Sequence, residues 1–327
     1  MTQRLLITGG TGFFGRALLR HFHSEAQNTN TSKPLFFEEI IVLSRNPGAF
    51  ANRYPNLANA PWLRWVKADV CQADSLDTVL SGERVSAVLH AATDSTDSAG
   101  LSPFEKLDQI VEGTRNVLQM ASRLQASRFL LTSSGGVYGP QPVDMTRISE
   151  SYCGIPDPLQ FSSTYGLGKR MAEHLCLLFG QRHGLEIVIA RCFAFVGQDL
   201  PLDAHFAIGN FIRDAINKPS IEVGGDGSPV RTYMDQRDLS HWLMVLLQQG
   251  LSGQAYNVGS DEEINIKDLA YLVRDTLAPE KSVIIARKMS EQSFRNRYVP
   301  SIDKARTELQ LNLTYPLKQA IWETVRR

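Results

Sequence analysis

A tyrosine and a lysine four residues apart are the first residues in this chain whose types and spacing suggest chemistry. Tyr165 and Lys169 lie in the segment Tyr-Gly-Leu-Gly-Lys, within a long stretch of helical periodicity. Their side chains are therefore expected side by side on one helix face. A neighbouring ammonium favours the phenolate, so a phenol with an ordinary pKa of about 10 comes within reach of proton transfer near neutral pH. The pair predicts a general acid/base, with an exposed helix face as the alternative.

A serine-containing loop adds a second polar group to this site. Ser133 and Ser134 follow an apolar run that is typical of a buried strand, and two glycines come next. In open parallel sheets, ligands bind beyond the carboxyl ends of the strands. The Ser134 hydroxyl is therefore predicted to hydrogen-bond a reacting oxygen there, with simple turn chemistry as the alternative explanation of the loop.

Glycines near the N-terminus predict a dinucleotide site. The segment at 8–15 has the spacing GxxGxxG, directly after a predicted strand and at the start of a predicted helix. Glycines let the chain turn tightly and approach a pyrophosphate, whose negative charge is favoured at a helix N-terminus. The residues predicted to bind the cofactor here are Gly9, Thr11, Gly12, Phe13, Phe14 and Gly15.

The end of the second apolar run indicates which dinucleotide binds. The NAD pattern places an acidic side chain there, about 20 residues beyond the glycines, to accept the ribose hydroxyls. This chain has Ser44 and Arg45 instead, which suit a ribose 2′-phosphate, and Arg16 is expected to add positive charge. NADP is therefore favoured over NAD, unless Arg45 is a solvated loop residue. Asp69 is predicted either to accept from an adenine amino group or to cap the next helix.

The elements that must position these residues alternate regularly. Short apolar runs alternate with helical segments over the N-terminal part of the chain, the pattern of an α/β fold with a doubly wound parallel sheet. Two long helices are predicted at 101–124 and 162–183, and a polar surface loop at 24–33. The runs predicted as strands are Leu5–Thr8, Ile40–Leu43, Leu63–Lys67, Ala87–His90, Phe129–Thr132 and Ile187–Ala190.

The composition excludes several classes of protein. The 327 residues include 34 Lys and Arg and 34 Asp and Glu, so the net charge is zero and does not attract a nucleic acid. No apolar run approaches the roughly 18 residues that span a bilayer, and the N-terminus does not resemble a signal peptide. We therefore expect a soluble cytoplasmic protein that binds neither nucleic acid nor membrane. The four cysteines lack metal-ligand spacing, so we expect mostly buried thiols and no metal site.

In this order, the motifs resemble those of the extended short-chain dehydrogenases/reductases, in the NAD(P)-dependent nucleotide-sugar epimerase/dehydratase group. The resemblance implies a Rossmann domain at 1–196, to which 230–260 partly returns, and a smaller substrate-binding domain mainly at 197–327. It also implies a homodimer paired through the two long helices. The matching segments are TGGTGFFG at 8–15, Asp69, His90-Ala91-Ala92, Gly113-Thr114, SSGGVYG at 133–139, YGLGK at 165–169, RCFAFVG at 191–197, GGDGSPVRTYMDQRDL at 224–239 and Tyr256-Asn257-Val258-Gly259.

The resemblance implies a role for each matching residue around the acid/base pair. Tyr165 is the catalytic acid/base, Lys169 holds the nicotinamide ribose and lowers the tyrosine pKa, and Ser134 orients the sugar hydroxyl or ketone. The other residues implied to bind the cofactor are Val70, Ala91, Ala92, Thr93 and Thr132.

For the substrate, the resemblance implies that Arg231 binds the diphosphate, a planar bidentate contact for which arginine is suited. The structural alternative is an ion pair between Arg231 and either Asp235 or Asp238. Gly135 and Asn210 are also implied to face the substrate.

Departures from the family pattern reduce the number of reactions that the resemblance implies. Dehydratases of this group carry an acidic pair directly after the active-site Ser/Thr, where this chain has Gly135-Gly136. Reductases that first epimerise the sugar place a cysteine in the same loop, and it is absent here. The first difference argues against 4,6-dehydration and the second against epimerisation before reduction, which leaves hydride transfer at one carbon. Two asparagines and a tyrosine of the pattern are replaced by Ile110, Ala194 and Val196, so the fold is defined more sharply than the substrate.

The sequence thus predicts an NAD(P)-dependent enzyme of the nucleotide-sugar epimerase/dehydratase family, which acts through a 4-keto hexose by hydride transfer at C4. In an epimerase, the ketone rotates and is reduced on its other face. In a 4-keto-6-deoxyhexose reductase, only the reduction occurs and NADPH is consumed. The remaining alternatives are a 4,6-dehydratase, a reductase of non-sugar carbonyls and a non-catalytic NADP-binding regulator.

Overall fold

A seven-stranded parallel sheet forms the centre of the protein. The computed structural model describes residues 3–27, 36–93, 100–204, 206–287 and 296–326. The strands in this part of the chain are β1 (Arg4–Thr8), β2 (Glu39–Ser44), β3 (Leu63–Lys67), β4 (Ala87–His90), β5 (Arg128–Ser134), β6 (Glu186–Cys192), β7 (Phe195–Val196), β8 (Ser220–Val223), β9 (Val230–Arg231), β10 (Met234–Asp235), β11 (Gln254–Val258), β12 (Ile264–Asn265) and β13 (Ser282–Ile285). The central sheet has the order β11-β6-β5-β4-β1-β2-β3.

All six predicted strands are confirmed, and the doubly wound α/β fold with them. Their apolar runs are continuous because both faces of the sheet are covered. In β1, for example, Leu5, Leu6 and Ile7 are each fully buried, and full burial of such a side chain stabilises the fold by about 1.5–3 kcal/mol. The seventh strand, β11, was not predicted from an apolar run, and it pairs with β6 through Tyr256 and Ala190.

Helices cover the sheet and form the rest of the molecule. They are α1 (Phe13–Gln27), α2 (Pro47–Arg53), α3 (Pro55–Ala58), α4 (Ala73–Thr78), α5 (Pro103–Arg123), α6 (Thr164–His183), α7 (Ala207–Asn217), α8 (Gln236–Gln249), α9 (Ile266–Leu277), α10 (Asp303–Leu309) and α11 (Leu317–Val325). The predicted long helices are α5 and α6. A capping box of Ser102 and Glu105 begins α5, and the left-handed Gly184 ends α6.

The predicted surface loop at 24–33 is wrong in its first part. Residues 24–27 belong to α1, where Ala26 is a strong helix former and the polar side chains face solvent. The rest of that loop lies outside the described residues.

A third hydrophobic core lies apart from the two cores that cover the sheet faces. It is built from buried side chains of α7, α9, α11 and β8, among them Phe211, Ile221, Leu269 and Ile321. Small sheets connect this part of the chain, pairing β7 with β10, β9 with β12 and β8 with β13. A domain boundary near residue 197 remains a prediction.

The cysteines and the helices can be compared with two further expectations, buried thiols and the absence of a membrane-spanning segment. All four cysteines are free, and Cys176 and Cys192 are buried as expected. The expectation is wrong for Cys153, which is exposed because it lies in an irregular segment between β5 and α6. None of the helices in the described ranges is long and apolar enough to cross a bilayer.

Candidate active site

The glycine turn after β1 is held so closely that side chains are excluded from it. Gly9 has a φ of +75°, and a Cβ there would clash with the carbonyl group of Ala91. A Cβ on Gly15 would clash with the backbone of Gly10, so α1 can begin against the turn only with glycine at this position. The first turn of α1 leaves N–H groups without intrahelical partners, an arrangement that favours an anion. These residues therefore fit a dinucleotide pyrophosphate.

A buried hydrogen-bond chain fixes the neighbouring end of β4. The Thr114 hydroxyl donates to a carbonyl oxygen one helical turn earlier, at 2.6 Å, so it accepts from His90 Nε2 at 3.2 Å. Thr8 Oγ1 then donates to His90 Nδ1 at 2.7 Å and accepts from the Ala92 N–H at 3.3 Å. Burial, together with the charge of Lys169, lowers the pKa of His90 to about 3. The neutral imidazole thus serves to hold the segment that follows β4, a function the sequence analysis did not assign.

Lys169 is anchored by the sheet and lies beside Tyr165. Its ammonium donates to Thr93 Oγ1 and to the Thr132 carbonyl oxygen, each at 2.9 Å. The Lys169 Nζ atom lies 5.9 Å from the centre of the Tyr165 ring. Burial lowers the pKa of Lys169 to about 8. Because an ammonium has three N–H donors, one remains after the contacts to Thr93 and Thr132.

Ser134 lies at the end of β5, opposite Tyr165. Its Oγ accepts from the Gly136 N–H at 3.0 Å. A Cβ on Gly136 would be 3.3 Å from Ser134 Oγ and 3.9 Å from Tyr165 Cδ1, so both side chains lie next to this glycine, and both line one cavity with Lys169. The structure therefore brings Ser134, Tyr165 and Lys169 together.

A buried ion pair supports β5 and α6 from behind this site. Glu173, one turn after Lys169, accepts from Ser133 Oγ at 2.6 Å and pairs with Arg191 at 2.8 Å. Arg191 also donates to Tyr138 Oη at 3.0 Å. The sequence analysis did not include Glu173, although its spacing from Lys169 on the same helix could have indicated it.

One cavity of about 670 Å³ connects the predicted residues. Lys169 and Arg231 are the charged side chains among the described residues that line it, and that part of its lining contains no carboxylate. Aromatic rings, including Phe193, Tyr233 and Tyr298, form much of the remaining wall. The predicted residues that line it are Gly9, Gly12, Phe13, Phe14, Ala91, Thr93, Thr132, Ser134, Tyr165, Lys169 and Arg231.

Arg231 is held by the backbone, and its predicted ion-pair alternative is wrong. Its Nη1 donates to the carbonyl oxygens of Val230 and Asn296, each at 2.9 Å. Asp235 instead caps α8 and pairs with Arg237 at 2.7 Å. Asp238 accepts backbone N–H groups at the start of the segment that leads to α11. Within the described ranges no carboxylate pairs with Arg231, and burial lowers the pKa of its guanidinium.

Other predicted residues lie around the cavity without lining it. Thr11 accepts from Arg16 through its carbonyl oxygen at 3.3 Å. A Cβ on Gly113 would be 3.4 Å from Val70, which packs there against α5. Asn210 is half-buried on α7, one turn beyond the cavity-lining Phe206. The predicted residues outside the lining are Thr11, Gly15, Ser44, Arg45, Asp69, Val70, Ala92, Gly135 and Asn210.

The residues predicted to select the dinucleotide are only partly placed as expected. Arg45 is exposed beyond the end of β2, and the neighbouring Ser44 Oγ accepts from the Asn46 N–H at 3.2 Å. Arg16 pairs with the buried Asp199 at 3.2 Å, and Arg20 shares the same carboxylate at 2.8 Å, so the contribution of Arg16 to cofactor binding stays a prediction. Asp69 does not cap α4, since its Oδ1 accepts from the Cys71 N–H at 3.0 Å, before that helix begins.

Comparisons with known proteins find relatives of similar sequence and similar fold. The chain is 28% identical over 322 residues to UDP-glucuronic acid decarboxylase 1 of Arabidopsis thaliana, which covers 97% of this chain and 68% of the plant protein. Its fold is similar to that of UDP-glucose 4-epimerase from Thermotoga maritima, with a TM-score of 0.82, 17% identity, and 99% and 98% of the two chains covered. It is also similar to the NAD-bound dTDP-glucose 4,6-dehydratase DesIV from Streptomyces venezuelae, with a TM-score of 0.79, 25% identity, and 99% and 96% covered.

The model of the NAD dependent epimerase/dehydratase family matches residues 5–259, from β1 to the residue after β11. The match therefore includes the glycine turn, Ser134, the Tyr165–Lys169 pair and Arg231. This chain belongs to the NAD-dependent epimerase/dehydratase family, the NAD(P)-dependent enzymes of the extended short-chain dehydrogenase/reductase group.

Proposed function

We propose that the protein oxidises and reduces C4 of a nucleotide-activated hexose through a 4-keto species. The observation that carries this proposal is that Ser134, Tyr165, Lys169 and Arg231 line one shared cavity of about 670 Å³. A bound nicotinamide cofactor would supply hydride exchange with the sugar carbon. The glycine turn after β1 and the N-terminus of α1 would hold its pyrophosphate.

The proton transfers and hydrogen bonds of this reaction are assigned to Tyr165, Lys169 and Ser134. Tyr165, as phenolate, takes the proton from O4 of the sugar and returns it when the ketone is reduced. The third N–H of Lys169 is available for the ribose of the cofactor, because the other two are donated to Thr93 and Thr132. The Ser134 hydroxyl donates to the oxygen at C4, where negative charge develops.

Substrate recognition is assigned to Arg231. A guanidinium that lines a cavity and has no carboxylate partner among the described residues is a favourable site for an anion. The diphosphate of a nucleotide sugar would supply the negative charge that the Arg231 guanidinium binds, at one end of the sugar. A neutral carbonyl compound would leave Arg231 uncompensated, which disfavours the reductase of non-sugar carbonyls.

Epimerisation is the first of the reactions that a 4-keto species makes feasible. A planar ketone can accept hydride on either face, so rotation of the sugar inverts C4 without another acid or base. Dehydration instead needs a base at the adjacent carbon, and the described lining of the cavity contains no carboxylate. A ketoreductase would carry out only the final reduction.

Decarboxylation of a nucleotide-linked hexuronic acid is the second candidate. The similarity to a plant UDP-glucuronic acid decarboxylase over 97% of this chain favours it. Oxidation of C4 in such a substrate gives a β-keto acid, which releases its carboxyl group as CO₂ and leaves a keto-pentose for reduction. The sequence analysis did not include this reaction, because the motifs it used serve hydride transfer at C4 in either case.

We also propose that the protein forms a homodimer through α5 and α6. Their outer faces expose large apolar side chains, with Phe104 at 74%, Met171 at 50% and Leu178 at 50%. A second copy of the same surface would cover these side chains. Light scattering of the purified protein, compared with a Met171→Glu variant, tests this, and a monomeric wild-type protein would contradict it.

The reaction is tested by the mass of the sugar nucleotides. Purified protein is incubated with NAD(P)⁺ or NAD(P)H and a panel that includes UDP-glucose, UDP-glucuronic acid, dTDP-glucose and a 4-keto-6-deoxy sugar nucleotide. An unchanged mass with a new chromatographic peak means epimerisation, loss of CO₂ means decarboxylation, loss of water means dehydration and gain of two hydrogens means ketoreduction. If no sugar in the panel changes, C4 chemistry is contradicted, and the non-catalytic regulator is favoured.

A further inference from the structure

One of the two groups that hold the Lys169 ammonium is a side chain, and it belongs to the segment that follows β4. Thr93 is half-buried and lines the cavity, and its Oγ1 lies 2.9 Å from Lys169 Nζ. An ammonium has only donors, so the threonine hydroxyl is the acceptor in this bond. The other acceptor is the Thr132 carbonyl oxygen of β5, also at 2.9 Å, and it belongs to the backbone.

The backbone that carries Thr93 is fixed against the glycine turn. The Ala91 N–H donates to the Thr8 carbonyl oxygen at 3.2 Å, and the Thr93 N–H donates to the Ala91 carbonyl oxygen at 3.0 Å. The Ala92 N–H donates to Thr8 Oγ1 at 3.3 Å. A Cβ on Gly9 would lie 2.4 Å from the Ala91 carbonyl oxygen, so the turn and the segment are in close contact. Thr93 therefore connects the predicted pyrophosphate site to the acid/base pair.

A lysine needs such an anchor because its own geometry does not fix its charge. The four-carbon stem is flexible and the three donors of the ammonium rotate. Glu173, one turn further along α6, pairs with Arg191 at 2.8 Å, so its charge is already compensated. Burial lowers the pKa of Lys169 to about 8, and each acceptor counteracts this because it favours the charged form. With the Thr132 carbonyl oxygen as its one remaining acceptor, the ammonium would rotate about that bond.

We propose that Thr93 is a positioning residue, whose hydroxyl fixes the Lys169 ammonium at its distance from Tyr165 and directs the third N–H into the cavity. This inference rests on the proposed function, in which Tyr165 reacts as a phenolate beside the charge of Lys169. Thr93 acts through Lys169 in this assignment and needs no contact with the substrate. The resemblance to the family implies only that Thr93 binds the cofactor.

Kinetics of three variants test the inference. Thr93→Val keeps the shape of the side chain and removes the hydroxyl, so we expect kcat to fall about 10–100-fold, the range for a hydrogen bond to a charged group. KM for the sugar nucleotide should change by less than about twofold, because Thr93 does not hold the substrate. Thr93→Ser restores the hydroxyl and should recover most of kcat. Thr276→Val is the matched control, since the Thr276 hydroxyl donates to the Leu272 carbonyl oxygen on α9, at 2.6 Å.

Three outcomes of these measurements would overturn the inference. They are an unchanged kcat in Thr93→Val, no recovery of kcat in Thr93→Ser, and a loss confined to cofactor affinity. The last is measured by calorimetric titration with NAD(P)H. A dissociation constant that rises about tenfold or more, with kcat unchanged at saturating cofactor, would assign Thr93 to cofactor binding alone.

A stability cycle without any substrate separates this inference from the proposed function. Thermal unfolding is measured for the wild type, Thr93→Val, Lys169→Met and the double variant. The midpoint shifts of the single variants should not be additive, because Thr93→Val removes no bond to the ammonium once the ammonium is gone. Additive shifts mean that the two side chains do not interact, which overturns the inference even if a sugar nucleotide is converted. Failure to convert any sugar nucleotide contradicts only the proposed function, and the cycle still decides whether Thr93 holds Lys169.

Discussion

The Lys169 ammonium lies 5.9 Å from the centre of the Tyr165 ring, but it donates hydrogen bonds to β5 and to the segment that follows β4. One N–H is donated to the Thr132 carbonyl oxygen and one to Thr93 Oγ1, each at 2.9 Å. The strand end therefore sets the position of the charge, and the phenol lies within its field. Lys169 can stabilise a Tyr165 phenolate without a direct ion pair.

Replacement of the phenol tests whether the cavity is catalytic. In Tyr165→Phe the acid/base hydroxyl is lost while the helix and Lys169 remain, so we expect kcat to fall by about 10²–10⁴-fold. Calorimetric binding of NAD(P)H should be nearly unchanged, because the pyrophosphate site around Gly9 is intact. Full activity in this variant would assign the chemistry to another group, and a wild-type protein that binds cofactor without turnover would favour the regulator.

The buried ammonium predicts how stability depends on pH. Burial lowers the pKa of Lys169 to about 8 from 10.5, so between these values the unfolded state binds more protons than the folded state. Stability from this residue therefore rises as pH increases from about 8 to about 10.5. In urea unfolding at both pH values, the free energy of unfolding of wild type minus that of Lys169→Met should increase with pH. A constant or decreasing difference would show that the pKa of Lys169 is not lowered.

Arg231 should control affinity for the diphosphate and leave the folded state intact. In Arg231→Ala, KM for a sugar nucleotide should rise about 10–100-fold, the range for hydrogen bonds to a charged group. Arg231→Lys should recover only part of the loss, because lysine lacks the bidentate fork. The control is Arg274→Ala, whose side chain pairs with Asp275 on the surface of α9. Equal KM values in Arg231→Ala and wild type would remove Arg231 from substrate binding.

Arg45 is the exposed arginine beyond the end of β2 that is predicted to favour NADP. Because only NADP carries a 2′-phosphate for this guanidinium to bind, we expect Arg45→Ala to weaken NADP binding about tenfold and to leave NAD binding nearly unchanged. Dissociation constants of both dinucleotides are measured by calorimetry, with the exposed Arg53→Ala of α2 as the control. If both constants change equally, or neither changes, Arg45 is a solvated loop residue and the preference for NADP is lost.

The buried ion pair between Glu173 and Arg191 should contribute strongly to the free energy of unfolding. Glu173→Gln leaves the Arg191 guanidinium without its carboxylate, and loss of one partner of a buried pair costs about 3–5 kcal/mol. Urea unfolding of the variant measures this cost. Glu222→Gln removes an exposed carboxylate that pairs with Lys218 and should change stability by less than about 1 kcal/mol. Similar small effects in both variants would mean that Glu173 is solvated.

The sequence by itself was sufficient to predict the features that depend on residues close together along the chain. Apolar runs predicted six strands of the central sheet, because strands covered on both faces need continuous apolar side chains. Glycine spacing predicted the turn at Gly9, since a positive φ and close backbone approach are local requirements. The spacing of Tyr165 and Lys169 predicted their proximity, because residues four apart lie on one helix face.

Tertiary structure alone decided which distant residues meet. It paired Arg16 with Asp199, left Arg231 without a carboxylate among the described residues, and brought Tyr298 into the cavity that Ser134 lines. The seventh strand, β11, joined the sheet by pairing with β6 although α7, β8 and α8 lie between the two strands along the chain. Such contacts depend on how helices and strands pack, and local periodicity has no information about partners so far apart in sequence. The acid/base pair was therefore predictable from the sequence, whereas packing decided that Arg231 and Tyr298 line the same cavity.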